Sequence, residues 1–106
     1  MLNSHQRELL RRLTLNDETA LRDVMTGRIP GSDTLLDDKN QALVRLAALV
    51  ALDSDTASLQ SGVDVAHAAG VADEEIIETV LVIAPIVGTA RISSAHPRLA
   101  AVLRRE

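Results

Sequence analysis

The sequence predicts an all-helical protein that folds as a compact multi-helix bundle. Apolar residues recur at three- and four-residue spacing along most of the chain, and Asp, Ser, Asn and Gly stand where helices typically begin or end. Hydrophobic residues make up 46% and charged residues 25% of the 106 residues, a balance typical of globular proteins. A chain of this length has the commonest size of a single domain, so we predict one domain over residues 1–106.

Residues 1–35 predict two short amphipathic helices followed by a linker. The first helix follows Ser4. Asn16 with Asp17 and Glu18 predicts the cap and first turn of the second helix, which ends at Gly27. From Arg28 to Leu36 a Pro-Gly pair interrupts the chain and the apolar periodicity is lost, which indicates a linker.

Residues 36–101 predict the main helical core. A third helix capped by Asp37 is apolar almost all round, which places it at the centre, and a fourth begins after Asp55 and ends at Gly70. The fifth begins with three acidic residues, as a helix N-terminus favours. Because proline removes a backbone donor, Pro85 should kink or end the fifth helix and Pro97 should break the sixth.

The composition predicts a thin core and self-association. There is no Phe, Tyr or Trp, so the core must consist of Leu, Val, Ile and Ala, which bury less area per side chain than a ring does. A domain of this size also hides only about two-thirds of the surface of its unfolded chain. We therefore expect a homo-oligomer.

Several function classes are disfavoured by the composition. The net charge of −4 and the missing aromatics oppose nucleic-acid binding, which depends on clustered cations and stacking rings. The most apolar stretch is too short to span a bilayer and the first residues do not form a secretory signal, so we expect no membrane partner and a cytoplasmic location. Three separated histidines without cysteine give no metal signature, and we expect no metal and no cofactor.

The core segment resembles the carboxymuconolactone decarboxylase and alkylhydroperoxidase D family. The resemblance covers residues 36–101 and depends mainly on LDDKNQALVRLAALVAL and AHAAGVADEEIIETVLVIAPIVGTAR. It implies an alkylhydroperoxidase D-like helical bundle that assembles as a trimer or hexamer. The tail PIVGTARISSAHPRLA is similar to a cysteine-free branch of that family, for which we know of no assigned reaction.

The redox motif of that family is missing. Its peroxidase branch uses CxxCxxxH, and the resemblance places the two cysteines on Asp55 and Ser58 and the histidine on Gly62. Peroxide reduction needs a thiolate, a resolving thiol and a proton relay, and neither a carboxylate nor a hydroxyl replaces them. The sequence therefore predicts a protein that is not a thiol peroxidase.

One polar stripe is a candidate catalytic group. Gln60, Asp64 and His67 follow at i, i+4 and i+7 of the fourth helix, so they share a face on which Asp64 could orient the His67 imidazole as a general base. The same spacing also describes a solvated polar stripe on an amphipathic helix.

Two arginines are candidate substrate-binding groups. Arg45 is the one charge in the middle of the apolar third helix, and a buried guanidinium requires an anionic or carbonyl partner. Glu78 could supply it within or between subunits, or Arg45 could bind the carboxylate of a substrate. Arg91 admits the same two interpretations.

These observations predict a non-redox homo-oligomer that serves as a small-molecule-binding or interaction module. The alternative is a cofactor-independent lyase, decarboxylase or isomerase acting on a small carboxylic acid or lactone, with His67 as base and Arg45 or Arg91 as anchor. A third possibility is a structural partner whose apolar segment 76–87 forms a permanent interface.

Overall fold

The structure, a computed structural model, describes residues 1–27 and 35–104 and contains six helices in that part of the chain. They are α1 (Ser4–Thr14), α2 (Glu18–Met25), α3 (Asp38–Ala51), α4 (Thr56–Ala68), α5 (Asp73–Val87) and α6 (Thr89–Arg104). Because the described residues form no strand, the predicted all-α class is confirmed. Most of the predicted linker, residues 28–34, lies outside the described residues.

The chain divides into two compact units, Met1–Leu35 and Leu36–Glu106. In the first unit α1 packs on α2, and the Asp17 carboxylate caps α2 by accepting a hydrogen bond from the Ala20 amide at 3.0 Å. Ala20 is the one buried residue of these two helices. The prediction of a single domain stays a prediction.

The second unit is a four-helix arrangement around α3. Helix α3 contacts α4, α5 and α6, which agrees with its predicted central position. Its side chains Leu46 and Val50 meet Leu59 and Val63 of α4 and Ile76 of α5, all at most 1% exposed. The core is therefore aliphatic throughout, as the composition predicted.

Local capping explains where the core helices begin. The Asp37 carboxylate accepts a hydrogen bond from the Asn40 amide at 2.7 Å, so the predicted cap of α3 is confirmed. Helix α5 lacks a side-chain acceptor at Ala72, and Glu75 compensates by accepting from the Ala72 amide at 3.0 Å. This is the returning half of a capping box.

The two prolines do not end their helices. Helix α5 continues past Pro85 to Val87 and stops at Gly88, whose φ of 88° is a conformation that suits glycine. The break predicted at Pro97 is wrong, because α6 runs from Thr89 to Arg104. Each proline removes a single backbone hydrogen bond, and buried side chains on both sides of Pro97, Ala95 and Leu99, hold α6 on the core.

Candidate functional site

A cleft opens between α3 and α4 at the surface of the second unit. Its volume is about 500 Å³, within the range of small-molecule sites. Most of its lining is apolar, and its polar groups come from an arginine and two serines. The lining residues are Ala42, Arg45, Ala48, Leu49, Ser58, Ser61, Gly62 and Val65.

Gly62 sets how closely the two walls of the cleft approach each other. A Cβ atom at this position would lie 2.7 Å from Cδ1 of Leu49 and 3.2 Å from Cδ1 of Leu46. The first distance is far below a van der Waals contact, and Leu46 is fully buried. Glycine therefore has a packing function here, since any side chain must displace a leucine of α3.

Asp55 and Ser58 build the N-terminus of α4 beside the cleft. The Asp55 carboxylate accepts a hydrogen bond from the Ser58 amide at 2.8 Å, and its φ and ψ of −70° and 171° are those of an N-cap residue. The backbone hydrogen bond from Ser58, with a second one from its side chain, holds the pKa of Asp55 below its ordinary value. Both residues thus have a structural role.

Arg45 is exposed, which corrects the prediction that it is buried. Ala42, Leu46 and Val50 form the buried side of α3. Arg45 lies outside this row, is exposed and lines the cleft. Among the described residues, Arg45 makes no salt bridge with Glu78 or with another acid. A second depression of about 240 Å³, toward Asp38, also has Arg45 in its lining.

The predicted polar stripe lies on another face of α4. His67 is roughly 140° around the helix from Gly62 at 3.6 residues per turn, and it does not line the cleft. Its Nε2 lies 2.6 Å from Oδ1 of Asp73, a partner that the sequence interpretation missed. The structure therefore separates His67 from Arg45 within one chain.

Gln60 and Asp64 bind to each other on that face. Nε2 of Gln60 donates to Oδ1 of Asp64 at 2.8 Å, while Oε1 of Gln60 is buried and has no hydrogen-bond partner among the described residues. The amide orientation follows from this contact, because the opposite orientation would place two oxygens together. The proposal that Asp64 orients His67 stays a prediction.

Arg91 belongs to a second cluster, which joins the α3–α4 loop to α6. Its Nη1 lies 3.5 Å from Oδ2 of Asp53, and Arg98 donates to Oδ1 of Asp53 at 3.1 Å and to the Ser54 carbonyl at 2.9 Å. The Ser94 hydroxyl donates to the same Asp53 oxygen at 2.7 Å. Arg91 is thus paired with an acid outside the cleft.

Asp53 combines a strained backbone with a stabilised charge. Its φ of 57° is in the left-handed region, which Asp and Asn tolerate better than most residues. The hydrogen bond from Ser94 is the main reason that the pKa of Asp53 lies below its ordinary value, and the charges of Arg98 and Arg91 add to it. The ionised Asp53 carboxylate therefore attaches the α3–α4 loop to α6.

Asp53→Asn is expected to lower the free energy of unfolding at neutral pH. It is also expected to make the free energy of unfolding depend less on pH in the acidic range. Because the folded pKa is lowered, the ionised group stabilises the fold fully above its unfolded pKa of about 4 and loses this contribution as pH falls through the lower folded value. Asparagine keeps the left-handed backbone and an acceptor for Ser94 but not the charge. Urea unfolding of both proteins at several pH values from neutral to acidic tests this prediction. If the free energy of unfolding falls equally steeply with pH in both proteins, the prediction is contradicted.

Two features are absent from the described residues. No three His, Asp or Glu side chains converge in a way that could hold a metal ion in residues 1–27 and 35–104. No helix within these ranges is long and apolar enough to cross a membrane.

Comparison with known proteins decides the family. The model of the carboxymuconolactone decarboxylase family matches residues 18–101, which is most of the chain. The chain belongs to the carboxymuconolactone decarboxylase family. No curated protein and no solved structure shows a significant match.

Within the carboxymuconolactone decarboxylase family, this chain lacks the thiol chemistry of the peroxidase branch. The sequence contains no cysteine, so the CxxCxxxH motif is absent. The three positions that the resemblance gave to that motif are an N-cap, its hydrogen-bond donor and a close-packed glycine. Neither a thiolate nor a resolving thiol is available for peroxide reduction.

Proposed function

We propose that this chain is a non-redox, homo-oligomeric small-molecule-binding module of its family, with the α3–α4 cleft as its ligand site. The observation that carries the proposal is the cleft itself, which is lined mainly by apolar side chains and by the guanidinium of Arg45. Such a site suits a small carboxylic acid with an aliphatic body, because apolar contacts supply affinity and the arginine fork orients the head group. Its cytoplasmic location stays a prediction.

The absence of a partner for Arg45 supports the assignment of the head-group site. Arg91 and Arg98 are paired with Asp53, whereas Arg45 makes no salt bridge in the described chain. A carboxylate is the natural partner for such a group, since charge-assisted hydrogen bonds are about twice as strong as neutral ones. The Ser61 hydroxyl offers one further hydrogen-bond donor in the cleft, whereas the Ser58 hydroxyl already bonds to Asp55.

Arg45→Gln is expected to weaken carboxylate binding by about tenfold or more, since hydrogen bonds to charged groups contribute more than neutral ones. Hexanoate is a suitable probe, and the methyl resonances of Leu49 and Val65 report on its binding because both side chains line the cleft. The matched control is Arg91→Gln, which removes an arginine outside the cleft. Hexanoate binding that is equal in all three proteins, or absent from the wild type, would contradict the proposal.

The second candidate is a cofactor-independent lyase, decarboxylase or isomerase that acts on a small carboxylic acid or lactone. The observation that favours it is the 2.6 Å contact between Nε2 of His67 and Asp73, which fixes the imidazole of a candidate base. The separation of His67 from the cleft favours the binding module instead. If a substrate is found, unchanged turnover by His67→Ala would exclude His67 as the base.

Homo-oligomerisation is supported by the surface of α5. Ile76 is the single buried residue of that helix, although the helix consists largely of Ile, Val and Leu. Large exposed apolar patches mark interaction sites in soluble proteins. We propose a trimer or hexamer, as family resemblance implies.

A further inference from the structure

Helix α5 presents an apolar surface with one charge at its centre. This surface, the α5 face, consists of Ile77, Glu78, Leu81, Val82 and Ile86, which follow one another along two adjacent rows of the helix. The side chains of Leu81, Val82 and Ile86 are 65%, 68% and 85% exposed. An apolar patch of this kind is expected to be covered by a partner.

Glu78 is the unpaired acid of this surface. One turn earlier, Glu75 accepts from the Ala72 amide and lies 2.8 Å from Nζ of Lys39, so its charge is already compensated. Glu78 makes no salt bridge among the described residues, although it lines a groove of about 360 Å³ between α3 and α5. Covering it with an apolar partner would leave a desolvated carboxylate without a cation.

Arg45 is the matching cation on the other side of α3. Val44 lines the α3–α5 groove with Glu78, whereas Arg45 lines the α3–α4 cleft, so the two charges occupy different grooves. Among the described residues, Arg45 is the one unpaired charge in the largely apolar lining of the cleft. Glu78 is the one unpaired charge of the otherwise apolar α5 face. The two surfaces are therefore complementary in charge and in character.

We propose that a second copy of this chain covers the α3–α4 cleft with its α5 face, so that its Glu78 pairs with Arg45. The proposal specifies the homo-oligomer proposed above, and the partner would add a residue to the ligand site. Arg45 can serve both, because a guanidinium has five N–H donors directed along separate edges. One edge would bind the partner's carboxylate at the mouth of the cleft and another the ligand head group inside it.

Charge reversal tests this contact without any ligand. Arg45→Glu and Glu78→Arg each place like charges together, and each is expected to raise the dissociation constant of the assembly by more than about tenfold. The double variant R45E/E78R restores opposite charges and is expected to assemble like the wild type. Sedimentation velocity over a dilution series measures the assembly, and circular dichroism checks that every variant remains helical.

The control is Arg104→Glu, which makes the same change in net charge as Arg45→Glu at an exposed arginine at the end of α6. It is expected to leave assembly unchanged. The contact is overturned if either single reversal leaves assembly intact, or if the double variant stays dissociated while it remains helical. Assembly that is lost in Leu81→Lys but unaffected by both reversals would mean that something other than the Arg45 cleft covers the α5 face. Because hexanoate is not used here, failure of this contact is distinct from failure of the binding proposal.

Discussion

Leu46→Ala is expected to lower the free energy of unfolding by about 2–5 kcal/mol. Leu46 is 0% exposed, lies at the middle of the central helix and contacts a core that has no ring to fill the space left by the missing atoms. A leucine-to-alanine change removes the transfer free energy of the buried atoms and leaves a cavity. The free energy of unfolding of a small domain is about 5–15 kcal/mol, so the loss expected for this single change is a large fraction of it.

Urea unfolding followed by circular dichroism measures this effect, because the chain has no tryptophan or tyrosine for fluorescence. All proteins must be compared at one chain concentration, since the stability of an oligomer depends on it. The control is Leu52→Ala, because Leu52 is 75% exposed at the C-cap of α3 and its replacement should change stability by no more than about 0.5 kcal/mol. Similar losses in both variants would contradict the assigned core.

Gly62→His, which restores the histidine of the family motif, is expected to destabilise the fold by about 1–3 kcal/mol, the usual cost of overpacking. Its Cβ would come within 2.7 Å of Leu49 Cδ1 and 3.2 Å of Leu46 Cδ1. Leu49 is half-buried and can rotate toward the cleft, but Leu46 is fully buried and cannot move without disturbing the core. The displaced leucine would also narrow the cleft, so hexanoate affinity should fall.

Gly62→Ala is the graded control for this prediction. Alanine introduces the same Cβ contact without the ring, and it gains up to about 1 kcal/mol of helix propensity relative to glycine. We expect it to lie between the wild type and Gly62→His in thermal stability and in hexanoate binding. If the histidine variant is as stable as the wild type and binds equally well, Gly62 does not limit the approach of α3 and α4.

The features that sequence reasoning predicted correctly are local. Asp37 lies within three residues of the amide that it caps, so the pattern contains the whole interaction. The helical class was predicted correctly for the same reason, because apolar residues at three- and four-residue spacing are also a local pattern. Pro97 was misjudged because buried neighbours in α6 outweigh the loss of one hydrogen bond, and this balance depends on the tertiary structure.

The interactions at the candidate sites depend on tertiary structure to different degrees. The burial predicted for Arg45 depended on which side of an almost wholly apolar helix faces outward, and periodicity does not decide this. Asp53 meets Arg98 at a separation of 45 residues, so only the packing of α6 on the α3–α4 loop reveals the pair. The contact of His67 with Asp73 had a signal, since Gly70 ends one helix between them and brings its last turn near the first turn of the next.

We propose above that the α3–α4 cleft of an oligomer binds a small carboxylic acid through Arg45. Native mass spectrometry of the wild type and Arg45→Gln, each with hexanoate, tests it most directly because one spectrum gives subunit count and ligand stoichiometry. We predict a wild-type trimer or hexamer that carries up to one hexanoate per chain, and little or no adduct on Arg45→Gln. A monomer, or equal adducts on both proteins, would contradict this binding proposal.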